Sequence, residues 1–161
     1  MRLWYTLKGI EATDAFGNCL STVIKPGDLL LLSGDLGTGK TSLTKAIASG
    51  LGLEEKEVTS PSFTIIHEHL NGRLPLIHVD LYRLGLPADI EEIGLEDYFD
   101  GKNMVIIEWA EYLKGTLVET ALNIDLSFVD EKSREVYLTG KTGIWGERLL
   151  LVDDCMKVYK V

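Results

Sequence analysis

The chain has 161 residues, 45% hydrophobic and 25% charged, an ordinary globular composition with enough length to bury a core as one domain over residues 1–161. A net charge of −9 runs against a protein whose own job is gripping nucleic acid, since a basic face supplies most of that affinity; any link to RNA is expected to run through a partner. The four leucines at 29–32 are far too few to span a membrane and "MRLWYTLKGIEATD" lacks the character of a signal peptide, so a cytoplasmic protein without membrane contact is expected.

In chain order, "RLWYTL" at 2–7 reads as a short strand. Ala12, Phe16, Leu20 and Val23 recur at helical spacing, with Thr13 or Asp14 near the helix start and Pro26-Gly27 ending it. "DLLLLSG" is a continuous apolar run, as in a parallel strand buried on both faces. "KTSLTKAIASGLG" puts Leu43, Ile47 and Leu51 on one helix face and closes in glycines. "FTIIHEHL" and "RLPLIHVDLYRL" flank Asn71-Gly72 and predict a hairpin, with Pro75 implying that the return strand begins near an edge or becomes central only after it. Ile90, Ile93, Leu95 and Phe99 have a roughly helical arrangement broken by Gly94. "NMVIIEW" is another buried strand, and "LNIDLSFVDEKSREVYLTG" a second hairpin. From Ile144 onward, strand and short helix remain equally open. The expected fold is α/β, a P-loop NTPase-like mixed sheet, mostly parallel at its core, with antiparallel hairpins and helices on both faces. Cys19 and Cys155 lack any CxxC spacing, and two free thiols are expected.

Thr-Gly-Lys-Thr occurs twice, within "GDLGTGKTS" at 34–42 and "LTGKTGI" at 138–144. Only the first completes Gly-x4-Gly-Lys-Thr, with Gly34, Gly39, Lys40 and Thr41, between a buried strand and an amphipathic helix. Such a loop wraps a phosphate with inward backbone N–H groups at the positive helix end; its members here are Gly34, Asp35, Leu36, Gly37, Thr38, Gly39, Lys40, Thr41 and Ser42. Lys40 is placed to reach the β- and γ-phosphates of ATP and the Thr41 hydroxyl to ligate Mg2+. The second copy has Glu135 where the first glycine belongs, and a carboxylate there repels phosphate. No helix N-terminus is expected after it, and it reads as a turn.

A phosphate loop needs an acid at a neighbouring strand end to hold magnesium directly or through water. Asp80 after "LIHV" and Glu108 after "MVII" both qualify, because ligands gather at the carboxyl ends of parallel strands. Thr41 and Glu108 are assigned to the metal, and Asp80 to metal water or to the attacking water; Lys40, Asp80 and Glu108 form the catalytic set. His67, His69 and His78 lack a further ligand nearby, so they are not read as a metal site.

The stretches "GDLGTGKTS", "VTSPSFTII", "HVDLYRL", "IGLEDYF" and "IIEW" stand in an order and spacing that resembles the TsaE (YjeE) family across residues 10–112. The resemblance implies a small ATPase required for making threonylcarbamoyladenosine at position 37 of tRNAs that read codons starting with A. It implies docking on the complex of the transferase TsaD and its partner TsaB, with tRNA reached only indirectly. It makes Thr59, Ser60, Pro61, Ser62, Phe63 and Thr64 a first switch loop sensing the γ-phosphate, and Asp80, Tyr82 and Arg83 part of a second. Glu108 matches a magnesium-linked acid followed by Trp109. Ile10 and Glu11 match the stretch bordering the adenine, and Arg134 stands about where the family has a basic residue near the nucleotide. Two departures are visible: Thr38 where alanine is frequent, and Ala110 where proline usually follows Glu-Trp.

Two other classes compete. A small-molecule kinase needs an acceptor pocket and an arginine-bearing lid, and the five arginines form no such cluster after Glu108. A nucleotide-gated binding module would use ATP occupancy alone to control docking. A GTPase is disfavoured because no Asn-Lys-x-Asp segment is present.

Overall fold

Strand β2 (Leu29–Ser33) carries four consecutive leucines, and its pleat sends them alternately into two different cores. Leu30 and Leu32 enter one core and Leu29 and Leu31 the other. A strand with no polar face must be covered on both sides, and β2 sits fourth among seven. The remaining strands are β1 (Arg2–Lys8), β3 (Ile66–His69), β4 (Leu76–Asp80), β5 (Met104–Glu108), β6 (Leu122–Phe128) and β7 (Ser133–Thr139), in the order β1-β7-β6-β2-β5-β4-β3. This is a computed structural model, which describes residues 1–61, 63–85, 92–113 and 119–159.

The neighbours β6–β2, β2–β5 and β5–β4 run parallel, while β1–β7, β7–β6 and β4–β3 are antiparallel. The mixed sheet and both hairpins are therefore as expected, with β4 beginning at Leu76, directly after Pro75. One face carries α1 (Gly9–Val23), α2 (Lys40–Gly50) and α3 (Thr142–Cys155), which close the larger core with Phe16, Ile47, Trp145 and Leu149. Among the described residues, helical cover of the other face consists of 3-10 turns such as Glu96–Tyr98 and Ala110–Tyr112, not α-helices. Helix α2 ends as expected for its glycines: Gly52 N donates to Ser49 O and Leu53 N to Ala48 O, the paired bonds of a Schellman cap.

Four expectations change. Helix α1 begins at Gly9, ahead of Thr13, because Gly9 at φ +78 turns the chain out of β1 without a loop, its N–H bonded to Lys132 O at 2.7 Å. Ile90 lies outside the described residues, and Ile93–Phe99 forms a turn and one 3-10 turn with Gly94 at φ +72 in place of an amphipathic helix.

The chain after Thr139 forms α3, so a helix does follow the second Gly-Lys-Thr. There Gly140 packs against the Trp145 ring and Lys141 reaches toward Glu119 at 3.9 Å. Cys19 and Cys155 are not free: they form a disulfide across 136 residues, with Cα atoms 6.0 Å apart, because α3 folds back onto α1. Arg148 reinforces that packing. Its guanidinium grips Asp28 through both terminal nitrogens, its Nε donates to Val23 O at 3.0 Å, and it lies over the Trp145 ring.

Candidate functional site

Because β2, β5 and β4 are parallel neighbours, their carboxyl ends share one edge of the sheet. Register sets Glu108 beside Leu32 and also beside Asp80, so the two acids stand side by side where β2 turns into α2. That connection can follow its path only with glycine at 34. Its φ is +142, and a Cβ there would stand 2.3 Å from Leu126 O and 2.9 Å from Thr38 Oγ1. Gly37 (φ +80) and Gly39 (φ +101) continue the left-handed backbone up to Lys40. Thr38 is buried, its hydroxyl donating to Asp35 O at 2.8 Å, so the threonine found in place of alanine adds a bond that ties the loop to itself.

The resulting cleft has a volume of about 470 Å3 and is walled by the loop and α2's first turn on one side and by Ser60, Asp80, Tyr82, Arg83, Glu108 and Trp109 on the other. Lys40 Nζ donates to the carbonyls of Gly34 and Asp35 and lies 4.0 Å from the centre of the Trp109 ring. Burial pushes its ammonium below the ordinary 10.5, opposed by the charges of Glu111, Glu108, Asp80 and Asp35. A cation held by weak carbonyl acceptors in a partly desolvated site is poised to take a stronger anionic partner.

Thr41 Oγ1 donates to Glu108 Oε1 at 2.8 Å. The Asp80 carboxylate accepts from Ser60 Oγ at 2.8 Å and from Tyr82 N at 2.9 Å. One hydroxyl and two carboxylates at the mouth of a phosphate loop are hard oxygen donors, few in number, which is the protein contribution that suits magnesium. Trp109 takes the left-handed conformation (φ +60) directly after Glu108, which turns its indole back over Lys40 between Tyr82 at 4.8 Å and Tyr112 at 5.6 Å.

Among its described residues, the segment expected to be the first switch lines the cleft with Ser60. Pro61 is buried, Thr59 and Thr64 are exposed, and Ser62 lies outside the described residues. Phe63 is 81% exposed and holds the Arg83 guanidinium 3.7 Å from its ring centre. Ile65, a β-branched residue at φ +68, closes the segment with its N–H on Pro61 O and its carbonyl accepting from Asp80 N.

The expected nucleotide periphery is only partly gathered. Ile10 lies in a second cleft of about 240 Å3 with Asp14, Asn18, Lys45 and Glu55, and Ser42 lines both clefts. Glu11 is on the first turn of α1 and lines neither. Arg134 is not brought to the cleft. Its guanidinium bonds the carbonyls of Asp130, Glu131 and Ser133 and lies over Phe128, closing the β6–β7 turn.

One contact is not predicted from the sequence. His78, weighed from sequence only as a metal ligand, has its Nε2 against Glu108 Oε2. The signal was available, since His78 and Asp80 are two apart on a strand and so share a face.

A family model for "Threonylcarbamoyl adenosine biosynthesis protein TsaE" matches residues 7–136. A tRNA threonylcarbamoyladenosine biosynthesis protein TsaE of Bacillus subtilis is 40% identical over 136 residues, covering 84% of this chain and 84% of that protein. Those of Nostoc (39% over 133 residues, 80% of each chain) and Treponema pallidum (34% over 129 residues, 80% of this chain and 94% of that one) are similar. The solved structure titled "Crystal structure of Bacillus subtilus YdiB" superposes with a TM-score of 0.72 at 32% identity, over 99% of this chain and 97% of that one.

Proposed function

The chain belongs to the TsaE family of tRNA threonylcarbamoyladenosine biosynthesis, and from that premise we propose a magnesium-dependent ATPase that docks on the TsaD–TsaB transferase complex and drives its turnover. The observation that carries the ATPase reading is the Thr41–Glu108 hydrogen bond with Asp80 beside it in register, at the mouth of a glycine loop only Gly34 can form.

The loop's N–H groups and the N-terminus of α2 receive the phosphates, and Lys40 exchanges two carbonyls for β- and γ-phosphate oxygens. Thr41 and Glu108 would hold magnesium, whose chemistry is to neutralise charge on the β- and γ-phosphate oxygens. Asp80 has one donor on each carboxylate oxygen and retains a lone pair on each, enough to orient a water toward the γ-phosphorus and accept its proton as the γ-phosphate departs from ADP. Trp109 and Tyr82 cover the reacting end. Ile10 and the cleft it shares with Ser42 are the adenine side. With a charge of −9, the protein meets tRNA through the transferase complex, in the cytoplasm. Among the described residues, no helix is long and apolar enough to cross a membrane.

The exposed Phe63–Arg83 pair, with Arg83 lining the cleft, offers a docking contact that a gate docking on ATP without turnover would use equally. ATP hydrolysis by the purified protein, alone and with TsaD–TsaB, separates the readings for wild type, Lys40→Ala and Asp80→Ala. A partner-coupled ATPase loses turnover in Asp80→Ala while ATP still binds. Absence of hydrolysis in every mixture, with docking still promoted by ATP, would establish the gate.

A further inference from the structure

We infer that His78 is a positioning residue that fixes the Glu108 carboxylate for magnesium, an inference that rests on the magnesium ATPase reading above. Strand β4 alternates: Ile77 and Val79 enter one core while Leu76 enters the other, so His78 and Asp80 face the helix side of the sheet. Glu108 shares that side, since Met104 and Ile106 on β5 do. His78 is 0% exposed and Glu108 1% exposed.

The two oxygens of Glu108 are claimed by donors from two different elements, Oε1 by Thr41 of α2 and Oε2 by the His78 imidazole of β4. With Glu108 as the acceptor, the donor to Oε2 is the Nε2–H of His78. The plane of the carboxylate is therefore set from both ends. His78 Nδ1, also buried, has no hydrogen-bond partner among the described residues. An apolar side chain of similar volume would avoid that orphaned acceptor, so packing alone does not account for an imidazole here. What the ring adds is the bond to Glu108. Outer partners of this kind orient a metal-linked group and set its affinity without touching the metal.

The test uses the full chain and reads binding, not turnover. The affinity of a fluorescent ATP analogue is measured against Mg2+ concentration and in EDTA for wild type, His78→Gln, His78→Asn, His78→Met and Glu108→Gln, with thermal melting of each. Glutamine restores a donor at the reach of Nε2; asparagine is a bond too short; methionine fills the volume and donates nothing.

The expected result is that the Mg2+ needed for half-maximal binding rises about tenfold or more in His78→Met and His78→Asn and recovers most of the way in His78→Gln. Affinity in EDTA should stay within about twofold throughout. If Met does not fold, the Asn and Gln pair carries the same contrast. Wild-type Mg2+ dependence in His78→Met and His78→Asn, alongside a shifted Glu108→Gln, overturns the role of His78 alone. Wild-type dependence in Glu108→Gln overturns the parent reading of the acid and this inference with it.

Discussion

Gly34→Ala isolates the steric demand of the phosphate loop from the general cost of left-handed backbone. Alanine at φ +142 carries a conformational penalty of roughly 1–3 kcal/mol. Its Cβ would also stand 2.3 Å from Leu126 O, where carbon–oxygen contacts ordinarily start near about 3.3 Å. The turn must open by roughly 1 Å against the end of β6, an overpacking cost of about 1–3 kcal/mol. The sum is roughly 2–6 kcal/mol, a large share of a domain's about 5–15 kcal/mol. Gly37→Ala is the control. Its φ is +80, and its nearest neighbour is Phe128 Cζ at 3.7 Å, an ordinary contact, so only the conformational penalty remains. Urea unfolding of the two variants should differ by about 1–3 kcal/mol, with Gly34→Ala the weaker, and its ATP affinity should fall at least about tenfold as the N–H groups lose their common focus. Equal stability of the two variants would refute the claim that Leu126 presses on the loop.

Arg148→Ala leaves Asp28 charged and nearly buried, with side-chain exposures of 10% and 11% in the pair, and should cost about 3–5 kcal/mol, lowering Tm by at least about 6 °C; a loss under about 1 kcal/mol in chemical denaturation contradicts it. Burial is the largest cause holding His69 below its ordinary 6.5. The unfolded chain therefore binds the extra proton first, and stability present above pH 6.5 is lost as pH falls through 6.5 toward the lowered folded value. Unfolding free energies at about pH 7.5 and about pH 5.5 should fall less in His69→Asn than in wild type, and equal losses would remove His69 from the account.

The parts of the molecule legible in sequence are those whose physics is local. Four consecutive leucines ahead of a glycine loop suit a strand covered on both sides, and Gly34 through Thr41 carry their geometry in their spacing. Asp80 and Glu108 were visible as acids ending apolar strands, and the parallel pairing places them together. Part of the rest depends on partners far along the chain. The Cys19–Cys155 bridge requires knowing that α3 returns to α1. Helix α3 was ambiguous because Leu150 (55% exposed) and Leu151 (60%) blur the stripe formed by Trp145, Leu149 and Val152. Arg134, which the resemblance puts near the nucleotide, bonds three carbonyls of its own hairpin and lies over Phe128, the nearest neighbour of Gly37 in the loop. His78 shows the same limit from the other side: its face was readable, but its partner sits 30 residues away on another strand.

Asp80 joins the proposed reaction to the two segments expected to act as switches. Its backbone N–H bonds Ile65 O, its Oδ2 accepts from Ser60 and its Oδ1 from Tyr82 N, so both switch segments converge on the group that would orient the attacking water. Asp80→Ala consequently removes the base and the tether together, and loss of hydrolysis there does not show which of them governs docking. Ser60→Ala removes the tether alone, a hydrogen bond to a charged group worth about 1.5–3 kcal/mol, and leaves the carboxylate with its Tyr82 bond. If the tether sets the switch position, Ser60→Ala should change affinity for TsaD–TsaB at least about fivefold while hydrolysis by the isolated protein stays within about twofold. A fall in both to the level of Asp80→Ala would make Ser60 part of the water-orienting geometry. If neither quantity moves, the loop and the carboxylate act independently, and the coupling argued from this single oxygen is wrong.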